Sequence, residues 1–242
     1  MKTNVTKTTF QGIPMMMYDH PQSSRLIFIN HGIYGTKEKI IHLIGPQLVK
    51  LGYRVVAIDA HMHGERLEEP YASRNSFLAR LRIFSVVKRT SEDILKIYHQ
   101  KYADQHDDFD VLGISMGGYV SYYLTTQTQH LNTFVALISS PAFSKEKVHE
   151  LPESFNGEFL QEAQDVKKFV ENIDVSQRPD QMHFKQGIAL NGKVDDLIPA
   201  EHTKDFIEEN PDLPIVFKTY NTGHKITKAM SDDMLSLLKK RF

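Results

Sequence analysis

The sequence predicts an α/β fold built on a mostly parallel central sheet. Short apolar runs of the kind that form buried strands alternate with amphipathic helical stretches through most of the 242 residues. This alternation implies right-handed crossovers, with helices on both faces of the sheet. The first two strands are predicted at Val5–Phe10 and Ile13–Tyr18, separated by Gln11-Gly12. They predict an antiparallel hairpin at one edge of the sheet.

The remaining elements follow in order along the chain. Strands are predicted at Arg25–Asn30, Tyr53–Asp59, Asp108–Ile114, Thr133–Ser139, His183–Gly192 and Pro214–Tyr220. Helices are predicted at Lys37–Leu51, Ser91–Tyr102, Met116–Gln127, Ala200–Glu209 and Lys225–Phe242. The first helix has its apolar residues on one face, and Gly52 directly after it is a common helix stop.

Two segments interrupt the alternation of strands and helices within what we expect to be one domain, residues 1–242. Residues 65–90 are charged and aromatic, and residues 141–181 are polar and contain prolines. Both follow strand ends, where α/β proteins place their sites, so they form either a small lid or solvated crossover structure. Their apolar side chains either line a pocket or belong to the core: Tyr71, Phe77, Leu81, Phe84 and Phe143.

Composition excludes several classes of function. The net charge of −1 argues against electrostatic binding to nucleic acid or to anionic lipid. The absence of cysteine excludes disulfides, thiolate metal sites and a cysteine nucleophile. No stretch resembles a signal peptide or a membrane span. We therefore expect a cytoplasmic protein, monomer or homodimer, that binds a small molecule and inserts in no membrane.

The strongest local motif is Gly113-Ile114-Ser115-Met116-Gly117. An apolar strand leads into the serine and a helical stretch follows it, which is the strand–turn–helix setting of a nucleophilic serine. The turn is so tight that residues two before and two after the serine must be small, and both are glycine. We therefore predict that Ser115 is a nucleophile, although a structural serine at a helix start is the alternative.

A serine nucleophile requires a base, which is itself oriented by an acid. Asp195 follows the strand that ends at Gly192, and His224 follows the last predicted strand. Both positions are at carboxyl ends of strands, where they could converge with Ser115. Asp196 is an alternative acid, but the spacing to Ile198-Pro199 favours Asp195.

The oxyanion of an acyl-transfer intermediate requires two hydrogen-bond donors. The backbone N–H of Met116, directly after the nucleophile, is one candidate. The other should come from the loop His31-Gly32-Ile33-Tyr34-Gly35, which follows a buried strand. We expect the Ile33 N–H to be this donor. Tyr34 is the second choice and a candidate contact to substrate.

Taken together, these residues resemble the α/β-hydrolase superfamily over nearly the whole chain. The order Ser115, Asp195, His224 is the order in that superfamily, and His31-Gly32 resembles the oxyanion loops of lipases and esterases. The segment from Asp59 to Arg66, DAHMHGER, is similar to small bacterial esterases related to prolyl oligopeptidase-type (S9) catalytic domains. The resemblance implies hydrolysis of carboxylic esters or peptides through an acyl-serine, with no cofactor.

Esterase activity is the function we expect, because the chain has no β-propeller domain that would select peptides by size. A peptidase or amidase, an acyltransferase, a C–C hydrolase and a non-catalytic binding protein on this fold are the alternatives. The pair His61-x-His63 could also be half of a metal site, with Asp59 and Glu65 recruited as carboxylates. A structural loop beneath the nucleophile is the preferred interpretation, so we expect no metal.

Overall fold

An eight-stranded sheet lies at the centre of the computed structural model, which describes residues 4–19, 23–74, 76–146 and 158–239. Its strands are β1 (Asn4–Phe10), β2 (Ile13–Asp19), β3 (Arg25–Asn30), β4 (Tyr53–Ile58), β5 (Phe109–Ile114), β6 (Leu131–Leu137), β7 (Gln186–Gly192) and β8 (Ile215–Tyr220). The helices are α1 (Lys37–Lys50), α2 (Ser76–Leu81), α3 (Ile83–Ile97), α4 (Met116–Leu124), α5 (Glu158–Ile173), α6 (Ala200–Glu209) and α7 (Lys228–Lys239).

The strand order is β1-β2-β4-β3-β5-β6-β7-β8. β1 pairs antiparallel with β2, β2 pairs antiparallel with β4, and all the other pairings are parallel. The predicted mostly parallel sheet with an antiparallel hairpin at its edge is therefore confirmed. Because β3 to β8 are parallel, their carboxyl ends meet at one edge of the sheet, and the loops after them can build a common site.

Two apolar layers cover the sheet, one on each face. The side chains of β3 alternate between them: Phe28 belongs to one cluster, and Ile27 and Ile29 belong to the other. The second cluster also holds the buried faces of α1 and α7, whereas α3, α4, α5 and α6 contribute to the first. This burial on both faces explains why the central strands are nearly continuous apolar runs.

The segment 65–90 contains more helix than predicted. α3 begins at Ile83 rather than at Ser91, and α2 precedes it. The apolar stripe of α3 begins with Ile83, Val86 and Val87, which are all buried, so the signal for the earlier start was present in the sequence. No described helix is sufficiently long and apolar to span a membrane.

The apolar residues of the two irregular segments belong to the interior wherever their side chains are described. Tyr71, Leu81, Phe84 and Phe143 are all 3% exposed or less. Phe84 stacks on Phe143 with ring centroids 4.7 Å apart. Core packing, rather than an open pocket, is therefore their role. Phe77 and residues 147–157 lie outside the described side chains, and a lid function of segments 65–90 and 141–181 stays a prediction.

Candidate active site

Ser115 lies in a sharp turn between β5 and α4. Its φ of 55° and ψ of −114° place a non-glycine residue in a strained region, and its N–H donates to the Leu137 carbonyl at 2.9 Å. A Cβ atom on Gly113 would lie 1.8 Å from the Gly117 carbonyl oxygen, and one on Gly117 would lie 2.3 Å from the Asn30 carbonyl oxygen. Close backbone contact thus explains why the motif has glycine on both sides of the serine.

The structure brings Ser115, Asp195 and His224 together. The Nε2 atom of His224 lies 2.9 Å from Ser115 Oγ, and its Nδ1 atom lies 2.8 Å from Asp195 Oδ2. This arrangement fits a neutral imidazole that donates from Nδ1 to the carboxylate and accepts at Nε2 from the serine hydroxyl. Ser115 and His224 are partly exposed, whereas Asp195 is buried.

Asp195, rather than Asp196, contacts the histidine. The Asp195 side chain is fully buried, and its Oδ1 accepts hydrogen bonds from the N–H groups of Leu197 and Ile198, both at 3.0 Å. These bonds fix the carboxylate and leave Oδ2 directed at His224. Asp196 is exposed to solvent, on the outer side of the same loop.

The loop after β3 forms a tight turn beside the serine. The Gly35 N–H donates to the Gly32 carbonyl at 2.9 Å, with Ile33 and Tyr34 between them. A Cβ atom on Gly32 would lie 3.5 Å from Ser115 Cβ, so the turn packs against the nucleophile. Tyr34 has a φ of 59°, a conformation that a type II turn requires and that glycine usually adopts.

Three backbone N–H groups are thus candidates for an oxyanion site. Met116 is the first residue of α4, and the first N–H groups of a helix have no acceptor within the helix. Ile33 and Tyr34 occupy the middle of the turn that packs against Ser115. Both predicted donor positions therefore belong to segments that adjoin Ser115, one in sequence and the other through the packing of the turn.

His31, which opens this loop, is buried and neutral. Its Nδ1 lies 2.8 Å from the Gly32 carbonyl oxygen, and its Nε2 accepts from the Ala60 N–H at 3.1 Å. Burial is the main cause that lowers the pKa of His31 from 6.5 to about 4. Its two ring nitrogens are thus both engaged by main-chain groups, which fits a structural residue of the loop.

The pair His61 and His63 does not form a metal site within the described residues. His63 is buried, and its Nδ1 lies 2.9 Å from the His61 carbonyl oxygen. The carboxylates of Asp59 and Glu65, which a metal would require, both bind the Lys37 ammonium instead. No group of three or more His, Asp or Glu side chains in the described ranges could hold a metal ion.

Lys37 is the residue that sequence reasoning missed. Its side chain is fully buried, and its ammonium lies 2.7 Å from Asp59 Oδ2 and 2.8 Å from Glu38 Oε1. Burial lowers its pKa, but hydrogen bonds to Asp59, Glu38 and Glu65 outweigh that effect and raise the pKa above its ordinary value. The only signal in the sequence is that the helix dipole opposes a cation in the first turn of a helix, and this signal does not identify the partner.

A cavity of about 320 Å³ is lined largely by residues of α1 and α7, and by none of the triad residues. Ile114, which directly precedes Ser115, contributes to its wall, as do Leu137 and Ile226. A larger cavity of about 530 Å³, lined by Val166 and Phe169, contains none of the triad residues. The lining residues therefore place neither cavity at the Ser115 hydroxyl.

Comparisons with known proteins identify the fold and a family. Residues 21–231 match the sequence model of the family described as serine aminopeptidase, S33. Among solved structures, TT1662 from Thermus thermophilus is 20% identical, with a TM-score of 0.77 over 99% of this chain and 98% of that one. The Pyrococcus furiosus esterase Pf2001 is 17% identical, with a TM-score of 0.69 over 98% of this chain and 88% of that one.

A mouse structure extends the comparison. Alpha/beta hydrolase domain-containing protein 10 is 12% identical, with a TM-score of 0.69 over 97% of this chain and 96% of that one. At these identities the solved structures establish the fold alone, which is that of the α/β-hydrolase superfamily. No match was found among curated proteins. The resemblance to S9 enzymes stays a prediction.

Proposed function

The chain belongs to the serine aminopeptidase S33 family of α/β hydrolases, and we propose that it is a serine esterase. Its substrates are carboxylic esters of small or medium acyl groups, and Ser115, Asp195 and His224 are its catalytic residues. One observation carries the proposal: His224 contacts Ser115 Oγ at 2.9 Å through one ring nitrogen and Asp195 at 2.8 Å through the other. A serine, a base and an orienting acid in this arrangement make up the machinery of acyl transfer.

The proposed reaction has two steps. Ser115 Oγ attacks the ester carbonyl carbon while His224 Nε2 accepts the serine proton, and a tetrahedral oxyanion forms. The N–H groups of Met116 and Ile33 stabilise that oxyanion. The carbon–oxygen bond to the leaving group then breaks, and the protonated His224 gives its proton to the departing oxygen, which leaves as an alcohol.

Hydrolysis of the acyl-serine repeats the same chemistry with water. His224 accepts a proton from a water molecule while the water oxygen attacks the acyl carbon. The bond between that carbon and Ser115 Oγ then breaks, His224 gives its proton to Ser115 Oγ, and the carboxylic acid departs. Asp195 remains a carboxylate throughout and stabilises the imidazolium. Tyr34, in the same turn as Ile33, is proposed to contact the bound substrate.

An ester substrate is supported by the comparison with known proteins. One solved structure with the same fold is named an esterase. A series of p-nitrophenyl esters of increasing acyl length tests the size limit, and a preference for long acyl chains would contradict it.

An aminopeptidase is the second candidate, because the family description names that activity. The same triad would cleave an amide, with an amine as the leaving group. Matched ester, thioester and amino-acyl amide substrates separate the two activities, since an aminopeptidase would cleave the amide at a rate comparable with that of the ester.

An acyltransferase is recognised by its product. It would transfer the acyl group to an added alcohol and give a new ester, whereas an esterase would give the carboxylic acid.

Covalent labelling tests the nucleophile directly. The protein is treated with a fluorophosphonate probe and examined by intact mass and peptide mapping, beside the Ser115→Ala variant. We expect a single adduct on Ser115 in the wild-type protein and none in the variant. Folded wild-type protein that acquires no adduct would contradict the proposal and favour a non-catalytic binding protein.

A further inference from the structure

The turn at residues 32–35 is attached to the rest of the protein at both of its ends. At its start, His31 accepts the Ala60 N–H at 3.1 Å through Nε2. The same ring contacts the Gly32 carbonyl oxygen at 2.8 Å through Nδ1, so it joins the turn to the segment after β4. A Cβ atom on Gly35 would lie 2.8 Å from His31 Cβ, so the ring also packs closely against the end of the turn.

At its other end, the loop runs into α1 and is held by Asp59. Lys37, the first residue of α1, donates its backbone N–H to Asp59 Oδ1 at 2.9 Å. Its side-chain ammonium donates to Asp59 Oδ2 at 2.7 Å. One buried carboxylate therefore binds both the main chain and the side chain of Lys37.

Both attachments are made to consecutive residues, Asp59 and Ala60, and this short segment is itself well fixed. The Glu65 N–H donates to Asp59 Oδ2 at 3.0 Å, and the Arg66 guanidinium donates to the Asp59 carbonyl at 2.6 Å. Gly64 packs directly on the carboxylate, since a Cβ atom there would lie 2.0 Å from Asp59 Oδ1. The segment is thus a rigid support for the turn.

The charges around Lys37 make the attachment at α1 strong. Its ammonium contacts three carboxylates, those of Asp59, Glu38 and Glu65. The Lys37 and Asp59 side chains are both fully buried, so solvent screens their attraction little. Loss of the Lys37 ammonium would leave the buried Asp59 carboxylate without a cation beside it.

We propose that Lys37 and Asp59 are positioning residues, which hold the turn of Ile33 and Tyr34 at the distance from Ser115 that oxyanion binding requires. This inference rests on the proposed serine hydrolase function. Neither side chain touches the reacting atoms. They act through the backbone, by fixing one end of the turn, while His31 fixes the other.

The test is the Lys37→Met variant, which keeps an unbranched side chain and removes the charge. Loss of an oxyanion donor lowers kcat by about 100- to 1000-fold. A donor that is displaced but still present should lower kcat by less than this. We expect kcat on a short-chain ester to fall about 10- to 100-fold, with KM within about twofold of the wild-type value. Affinity for a trifluoromethyl ketone, which forms a tetrahedral adduct with serine, should fall in parallel.

Arg25→Met is the matched control. Arg25 contacts the nearly buried Asp110 at 2.9 Å, and Asp110 also accepts the Thr133 N–H at 3.0 Å, much as Asp59 accepts Lys37 N–H. Arg25 and Asp110 lie at the amino ends of β3 and β5, at the opposite edge of the sheet from Ser115. We expect this variant to lose stability and to keep its kcat and inhibitor affinity.

Hydrogen exchange gives a readout that does not depend on catalysis. Amides of residues 31–37 should exchange faster in Lys37→Met than in Arg25→Met at equal global stability. A folded Lys37→Met protein with wild-type kcat and exchange overturns the inference. An equal loss of kcat in Arg25→Met also overturns it, because general destabilisation would then explain both.

Failure of the proposed function can be distinguished from failure of this inference. If wild-type protein neither cleaves esters nor reacts with a fluorophosphonate, the esterase proposal fails. Hydrogen exchange at residues 31–37 then decides whether Lys37 positions the turn.

A second variant is available if Lys37→Met does not fold. Glu65→Gln removes one exposed carboxylate from contact with the Lys37 ammonium, and we expect a smaller loss of kcat, about threefold. Glu68→Gln, exposed and nearby, is its control, and equal rates in the two variants overturn the inference.

Discussion

The Nε2 atom of His224 lies 2.9 Å from the Oγ atom of Ser115, although 109 positions of sequence separate the two residues. Neither residue could form this contact without the parallel sheet, which places the ends of β5 and β8 at one edge. Asp195, after β7, completes the arrangement from the other side of the imidazole. The loops after three different strands therefore supply the three side chains of one hydrogen-bonded chain, which ends at the Ser115 hydroxyl group.

Replacement of Ser115 by alanine should abolish turnover and leave the fold intact. Loss of a serine nucleophile costs roughly six orders of magnitude in kcat where a triad operates. The side chain is small and partly exposed, so the free energy of unfolding should change by less than about 0.5 kcal/mol. Steady-state ester hydrolysis and urea denaturation measure the two effects. Ser121→Ala, in the helix that follows Ser115, is the control and should retain activity.

The two neighbouring aspartates should differ sharply in their effect on rate. Asp195→Asn removes the carboxylate that orients His224 and should lower kcat by about four orders of magnitude. Asp196→Asn alters an exposed side chain and should leave kcat within about twofold. Parallel kinetic measurements decide between them. Comparable losses in the two variants would contradict the assignment of Asp195 as the acid.

Acid should destabilise the protein through His31. Burial lowers its pKa from 6.5 to about 4, so between these values the unfolded chain binds a proton that the folded chain does not. The contribution of the neutral His31 ring to the free energy of unfolding is therefore fully present above about pH 6.5. It is lost as the pH falls towards 4, and the total loss is roughly 3 kcal/mol.

Urea denaturation at several pH values measures this effect of His31. The fall in unfolding free energy between about pH 6.5 and about pH 4.5 should be smaller in His31→Gln than in the wild-type protein. His42→Gln, which alters an exposed side chain, is the control and should follow the wild-type curve. Identical pH dependence in His31→Gln and wild type would contradict the prediction.

A methyl group on Gly113 should disrupt the turn that holds Ser115. The added Cβ would lie 1.8 Å from the Gly117 carbonyl oxygen, where only backbone movement could relieve the overlap. We expect Gly113→Ala to lose more than about 3 kcal/mol of stability or to fail to fold.

Gly12→Ala separates this overlap from the cost of backbone conformation alone. Gly12 has a φ of +83°, and a Cβ atom added there would have nothing within 4 Å, so its substitution should cost only about 1 kcal/mol. Thermal and urea unfolding of both variants provide the comparison. Equal losses of stability in Gly113→Ala and Gly12→Ala would contradict the prediction that close packing excludes a side chain at position 113.

Periodicity and motif spacing were sufficient to predict much of this protein. The apolar runs predicted the strands because each central strand is buried on both faces, and the glycines around Ser115 predicted the turn because no Cβ fits there. The early start of α3 at Ile83 was missed, although its apolar stripe was present. Charged residues on both sides of it, Arg82, Lys88 and Arg89, obscured that stripe.

The sequence by itself determined the order of the elements and the candidates Ser115, Asp195 and His224, because these depend on local pattern and on the ends of strands. Only the tertiary structure shows that Asp195 rather than Asp196 contacts His224, because the N–H groups of Leu197 and Ile198 bind Asp195 Oδ1 and leave Oδ2 directed at the imidazole. It also decided that Lys37 is buried against Asp59. That contact joins the start of α1 to the residue directly after β4, 22 positions later, and no local sequence pattern predicts which residues so far apart will meet.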